Sequence, residues 1–425
     1  VFLDAVLHRN PELVAFAAEL HDSGAIPPDT YVMDLDAIES NAELLAREAD
    51  RLGLSLWFVV KQIGRNPELI EAIARHIPRF AAIDPPEARI LHAAGAQAGN
   101  LGHLVQIPAR ALPEMLAWRP ETVTVYDLAN ARAVSDAATR LGFVQDVLVR
   151  LEGAAGAVYP GQEGGVRLDG GADGPDRANG PDGAGSRHGS AGGSGGDRTG
   201  PAGPDGLDGP DGLDAFVAEA ERLPGVRVAG VTAFPCVRCD PDTGEPRPTP
   251  NFALARAAVE RLAARGYTDL KLSAPSATSM ATLPLLARLG ATHGEPGHAL
   301  TGTTPLHAVD HAQPERPAYV YVSEVAHTLA DGRPALYGGG FYPRGGAREA
   351  LIPRTGARLR VEDAPAANID YYRLLAPGDA RVGDTAVLAF RTQIFVTRSS
   401  VAVVSGLSSG APKLSGLYDP LGRPY

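Results

Sequence analysis

Apolar runs and amphipathic stretches alternate along this chain from residue 30 to about residue 293. Thr30–Leu35 reads as a strand, and the segment 36–53 spaces Ile38, Leu44, Leu45 and Leu52 at near-helical intervals. Strand-like segments then recur at 55–60, 79–83, 101–107, 122–126, 146–152, 226–233, 269–273 and 290–293. Helix-like segments separate them at 67–76, 86–94, 110–118, 128–141, 214–223, 250–265 and 279–289. Strands joined through helices make parallel sheets, and eight such units favour a closed ring. The expected fold is therefore α/β, a TIM-type β/α barrel over about 30–310.

Two segments break the pattern. From about Pro317 helical periodicity fades, and runs such as Ala318-Tyr-Val-Tyr-Val, Thr385-Ala-Val-Leu-Ala-Phe and Val401-Ala-Val-Val read as strands. A smaller β-rich C-terminal domain is expected over 317–425. The stretch 169–212 holds 16 glycines and five prolines in 44 residues, no aromatic residue and almost no aliphatic one. It lacks the apolar surface to offset the entropy of ordering, so a disordered insertion in the barrel is expected there.

Composition narrows the class. A chain of 425 residues with 44% hydrophobic content can bury a large core. The net charge of -11, without any basic tract, argues against nucleic acid as a partner. The apolar runs are far shorter than a membrane span, and the first residues lack a basic stretch followed by an apolar one. Cys236 and Cys239 are the only cysteines, so there is no disulfide framework. A cytoplasmic enzyme without membrane or nucleic-acid partners is expected.

Three segments fall at the C-terminal ends of expected barrel strands, where barrels carry their chemistry. Lys61 closes the apolar run Leu56-Trp57-Phe58-Val59-Val60. A partly desolvated lysine there can form a Schiff base with an aldehyde. Ser273-Ala-Pro-Ser276-Ala-Thr follows a late strand, and Gly294-Glu295-Pro296-Gly297-His298-Ala-Leu-Thr-Gly302 follows the last. Hydroxyls, small residues and backbone amides at these positions suit a phosphate. An aldehyde bearing a phosphate and meeting a lysine points to pyridoxal 5'-phosphate.

The same segments resemble the alanine-racemase-like enzymes of the fold type III pyridoxal-phosphate group. Lys-Gln-Ile-Gly-Arg is similar to that family's Lys-Ala-Asn-Ala-Tyr, Ser-Ala-Pro-Ser-Ala to its Ala-Asn-Ser-Ala, and Glu-Pro-Gly-His-Ala-Leu-Thr-Gly to its Arg-Pro-Gly-Ile-Ala-Leu-Tyr-Gly. The fullest resemblance is to the YhfX-like branch of amino-acid racemases, through Lys-Gln-x-Gly-Arg-Asn-Pro, Glu-Pro-Gly-His-x-Leu-Thr-Gly-Thr-Thr-Pro and Phe-Arg-Thr-Gln. It implies a homodimeric amino-acid racemase with an amino acid as substrate. Decarboxylation, aldol cleavage, elimination, or cofactor carriage without turnover are the alternatives. Lys61 would carry the cofactor and move the substrate's Cα proton. Ser276, Gly297 and His298 would hold the phosphate. Arg65, where the family has a phosphate-binding tyrosine, would assist them or else be a surface arginine.

Departures from the family pattern sharpen this picture. Glu295 stands where alanine racemases place an arginine against the pyridine nitrogen, and a carboxylate there would keep that nitrogen protonated. Its alternative is a carboxylate satisfied by backbone amides. Tyr337, in Leu336-Tyr337-Gly-Gly-Gly-Phe341-Tyr342-Pro343-Arg344, is the candidate second acid contributed by a partner subunit, or else a strand aromatic in the domain core. Cys236 is a further candidate acid/base if its pKa is tuned, and otherwise an inert thiol. His103 reads as a packed residue, and His293 is left open. Deleting about 170–210 is expected to leave the fold and cofactor binding intact, because the segment has too little apolar surface to belong to a core. Loss of soluble expression in the deletion variant would count against this.

Overall fold

The structure is a computed structural model that describes residues 1–153, 163–168, 212–240, 243–338, 346–363 and 371–425. The expected disordered insertion at 169–212 lies outside the described residues apart from Gly212.

Eight parallel strands form the barrel. They are Ser55–Leu56, Arg79–Ala82, Gln97–Leu101, Thr122–Val125, Gln145–Arg150, Val226–Thr232, Lys271–Ser273 and His293–Gly294. The last strand pairs with the first, and a parallel bridge between Phe58 and Phe80 brings the first to the second, nearly closing the ring. Successive side chains along a strand point to opposite faces. Phe58, Val60, Phe80, Val147 and Val149 accordingly join the main core under the helices. Trp57, Val59, Ala81 and Leu148 form a small separate cluster in the lumen.

The third strand departs from expectation. It is Gln97–Leu101, not 101–107. All of its residues but Leu101 are small or polar, and at Gly99 the lumen is already filled: a Cβ there would fall 2.3 Å from the Trp57 ring. The apolar run Leu104–Ile107, which suggested a strand, forms the loop beyond.

Below the Trp57 plug, Glu121 gathers several partners. Trp57 Nε1 donates to Glu121 Oε2 at 3.1 Å, and His293 Nε2 lies 3.3 Å from Oε1. Arg79 and Lys271 approach at 3.4 and 3.8 Å. The His293 ring also packs against Trp57 at a tilt of 32°, with centroids 4.3 Å apart. It thus serves the barrel floor, at the end opposite the chemistry.

Among the described residues the second domain is a nine-stranded sheet. Thr30–Asp34, expected to open the barrel domain, lies instead in the middle of this sheet. It pairs antiparallel with Tyr319–Thr328 and parallel with Ser400–Ser405. All five of its residues are buried, so local patterning does not distinguish the two sheets. Two helices, Phe2–Arg9 and Pro11–Asp22, cover one face through Leu3, Val6 and Leu13 against Val32, Val320 and Val404. On the opposite face Tyr31, Met33, Tyr321 and Val403 join the barrel core. No helix among the described residues is long and apolar enough to cross a membrane.

Burial opposes ionisation of Glu121, but the bond with His293, aided by Trp57 and Arg79, prevails and lowers its pKa to about 2. A lowered carboxyl pKa stabilises the fold above the ordinary value of 4.5, and that contribution is lost as the pH falls toward 2. Urea unfolding at pH 5 and pH 2.5 should therefore show Glu121→Gln losing up to about 3 kcal/mol less than the parent protein over that interval. Equal losses would mean that the carboxylate is unimportant to the floor.

Candidate active site

A cavity of about 250 Å³ opens at the C-terminal rim of the barrel. Lys61, Gln62, His103, Ser276, Glu295 and Gly297 reach it from four different strand ends, and Arg391 and Gln393 reach it from the second domain. His298 also borders it. Lys61 arrives by strand periodicity: Trp57 and Val59 face the lumen, and the next residue in that row is Lys61.

The turn after Lys61 is clamped. Gly64 has φ of +66°, and a Cβ there would meet Ile394 and Val401 at 2.9 and 3.0 Å. The adjoining Arg65 is buried and does not border the cavity. Its Nη2 lies 3.2 Å from both oxygens of Asp84, its Nε lies 3.3 Å from Glu87 Oε2, and the group sits over the Phe395 ring. Arg65 is therefore neither a surface residue nor placed to hold a phosphate in the cavity. It joins the Lys61 turn to the helix Pro85–Ala93. Burial raises the pKa of Glu87, while Arg65 and then Lys61 oppose that rise.

Glu295 follows the last strand, and its backbone N–H donates to Thr278 Oγ1 at 2.9 Å. Ser273 Oγ lies 3.5 Å from its carboxylate. Asn100 is held beside it by Thr122 and Thr124, whose hydroxyls donate to Asn100 Oδ1 at 3.2 and 3.0 Å. Desolvation raises the pKa of Glu295 to about 7, against the pull of Lys61, Asn100 and Ser273. Such a carboxyl favours a cationic partner inside the cavity.

Ser276 also lines the cavity, but its hydroxyl donates to the Val237 carbonyl at 2.8 Å and accepts from the Val237 N–H at 3.1 Å. Ser276 and Ala277 both have positive φ, 91° and 51°. The loop therefore presents turned backbone to the cavity, with the hydroxyl proton committed elsewhere. Cys236 does not line the cavity. It is fully buried, its Sγ bonds the Ala233 carbonyl at 3.1 Å, and burial pushes its pKa well up. A thiol so placed does not serve as an acid/base at the cavity, and the candidacy of Cys236 is corrected. Tyr337 ends the strand Pro334–Tyr337, which lies between Tyr319–Thr328 and Tyr372–Leu374; its side chain is about half exposed and does not border the cavity of its own chain. It is not a core aromatic. The residues 339–345 beside it lie outside the described residues.

The cavity contains polar atoms in need of a ligand. Among the described residues, Gln62 Oε1 and both ring nitrogens of His103 are buried without a hydrogen-bond partner. Together with Lys61 and the raised Glu295, they fit a polar heterocycle that bears a cationic ring nitrogen.

Comparison with known proteins accords with this geometry. Residues 33–154 match the alanine racemase N-terminal domain, and residues 320–414 match the YhfX-like C-terminal domain. Protein YhfX of Escherichia coli (strain K12) is 38% identical over 430 residues, covering 100% of this chain and 99% of that protein. The chain belongs to the YhfX family. Solved structures similar to this YhfX-family chain include D-threonine aldolase from Filomicrobium marinum, with TM-score 0.62 and 16% identity over 93% of this chain and 95% of that one. Alanine racemase from Clostridium difficile 630 superposes with TM-score 0.58 and 14% identity over 93% and 99%. D-threo-3-hydroxyaspartate dehydratase from Delftia sp. HT23 gives 0.58 and 16% over 94% and 98%. These likenesses establish the fold, that of the fold type III enzymes. Pyridoxal phosphate is the cofactor that alanine racemase-like members of this fold use.

Sequence reading assigned no site role to Gln62, Asn100, Arg391 or Gln393. Arg391 and Gln393 lay inside the Phe-Arg-Thr-Gln segment of the resemblance, which was the available signal. A raised pKa on Glu295 favours the native state fully below the ordinary 4.5, and this contribution is lost as the pH rises through 7. In cofactor-free protein, stability relative to Glu295→Gln should fall by up to about 3 kcal/mol between pH 4.5 and pH 8. Parallel stability profiles from denaturant titration would refute the shift.

Proposed function

We propose that this chain is a pyridoxal-phosphate enzyme that makes and breaks the Cα–H bond of an amino acid, with racemisation as its reaction. The observation that carries this reading is the meeting of Lys61 and Glu295 in one cavity at the C-terminal rim of the barrel. Lys61 would hold the cofactor covalently and, once released by the substrate amine, carry the Cα proton. Glu295 would pair with the ring nitrogen. The Ser276–Thr278 turn and the backbone of Gly297 and His298 would cradle the phosphate. The bound cofactor supplies an electron sink for the charge left at Cα.

The charge state of Glu295 sets how strong that sink is. An ionised carboxylate favours a protonated ring nitrogen, whereas an arginine there disfavours it. A stronger sink also accommodates loss of other Cα substituents. Aldol cleavage, elimination or decarboxylation is thus the second reading, consistent with an aldolase and a dehydratase among the solved structures of like fold. Cofactor carriage without turnover accords less well with a second domain that sends Arg391 and Gln393 into the cavity.

Racemisation requires an acid on each face of the substrate. With Cys236 buried and Tyr337 about half exposed at the end of its strand, we assign the second acid to Tyr337 of a partner subunit in a cytoplasmic homodimer. Exposed Tyr371 and Tyr372 beside it suit a subunit contact.

Borohydride reduction of cofactor-loaded protein should label Lys61, and Lys61→Ala should lose the adduct; label on another lysine rejects the assignment. Incubation with an amino-acid pool, followed by chiral and mass analysis, should separate racemisation from cleavage or loss of carbon dioxide. Glu295→Gln should retain the cofactor yet slow Cα exchange in heavy water by roughly two to four orders of magnitude, as a lost charge pair in a shielded site is worth about 3–5 kcal/mol. Unchanged exchange would assign Glu295 a structural role only.

A further inference from the structure

His103 stands just past the third barrel strand, in the loop at the cavity rim. It is 3% exposed, and among the described residues neither Nδ1 nor Nε2 has a hydrogen-bond partner. Buried polar atoms are rarely left so, because each unmade bond costs about 1–3 kcal/mol. Both nitrogens are orphaned on a ring that borders the cavity.

The surroundings hold that ring in place. The His103 carbonyl accepts from Tyr126 Oη at 2.6 Å and from Arg150 Nη1 at 2.8 Å. The Arg150 guanidinium lies over the Tyr126 ring, and the edge of Phe234 meets the imidazole with centroids 5.6 Å apart. These contacts fix the loop and one side of the ring without using either nitrogen.

Charge indicates what the ring addresses. Burial, then the cations of Arg150 and Lys61, lower the pKa of His103 well below 6.5. The ring is neutral at pH 7, with one N–H to give, in a positive potential. A negatively charged oxygen complements both features.

We propose that His103 donates a hydrogen bond to an oxyanion of the molecule bound in the cavity. That oxygen belongs either to the cofactor's phenolate or to the substrate's carboxylate. The inference rests on the pyridoxal-phosphate reading above and adds a residue to it.

The test uses the full chain with 15N-labelled histidine, with His103→Gln to assign the His103 signals. Pyridoxal phosphate is added first and the amino-acid pool second, and borohydride labelling of Lys61 is scored on the same samples. Movement of a His103 ring-nitrogen resonance with the cofactor alone assigns the phenolate. Movement only after the amino acids assigns the carboxylate. A labelled Lys61 with His103 unmoved by either addition overturns this inference and leaves the cofactor reading standing. No label overturns both. In the phenolate case His103→Phe should weaken cofactor binding roughly ten- to a hundredfold, the value of a hydrogen bond to a charged group, while His103→Gln, which keeps an N–H donor, should recover part of the loss. Should His103→Phe fail to fold, the resonance measurement on the parent protein still decides.

Discussion

Near-closure of eight parallel strands creates a lumen, and Trp57 occupies its middle. The indole is fully buried, made possible by the missing side chain of Gly99 and anchored by its bond to Glu121. It separates two polar regions that would otherwise share one water-accessible tube. Below it lies the Glu121 cluster with His293, Arg79 and Lys271; above it lies the cavity with Lys61 and Glu295. Lumen-facing rows such as Trp57, Val59, Lys61 and His293, Glu295 cross from floor to rim. One apolar layer between them lets the floor stabilise the barrel while the rim stays free for chemistry.

Electrostatic tension is concentrated in the upper region. Glu295 and Glu87 are carboxyls that burial pushes toward the neutral form, and Lys61 is near enough to both to oppose that shift. Arg65 supplies much of the compensation for Glu87. Its guanidinium, held between Asp84, Glu87 and the Phe395 ring, couples the Lys61 turn to the neighbouring helix and to the second domain. The turn that follows the lysine is thus held from both sides.

What could be read in advance follows from how local each feature is. Lys61, Glu295, Ser276, Gly297 and His298 sit next to strand ends, and a strand's end is marked by the change from an apolar run to Gly, Pro and polar residues. Arg65 was misjudged because its role is decided by carboxylates 19 and 22 residues later in the chain. Gln97–Leu101 was missed because its small residues answer to the bulk of Trp57, which lies on another strand. The same change of strand bounds puts His103, which read as a packed residue, in the loop at the cavity rim. Thr30–Asp34 looked like a barrel strand because a buried central strand has the same composition in either sheet.

The position of Thr30–Asp34 bears on how the protein is made. Its register partners include Val320 and Ala402, so the strand emerges from the ribosome long before either neighbour exists. At 5–20 residues per second, the wait for the first partner is roughly fifteen seconds to a minute. Throughout it the two helices Phe2–Arg9 and Pro11–Asp22 and this strand have no sheet on which to bury their apolar faces, while the barrel acquires all eight of its strands before the first partner appears. Barrel first and second domain last is the order that vectorial synthesis imposes, with residues 2–34 as a segment in need of chaperone cover.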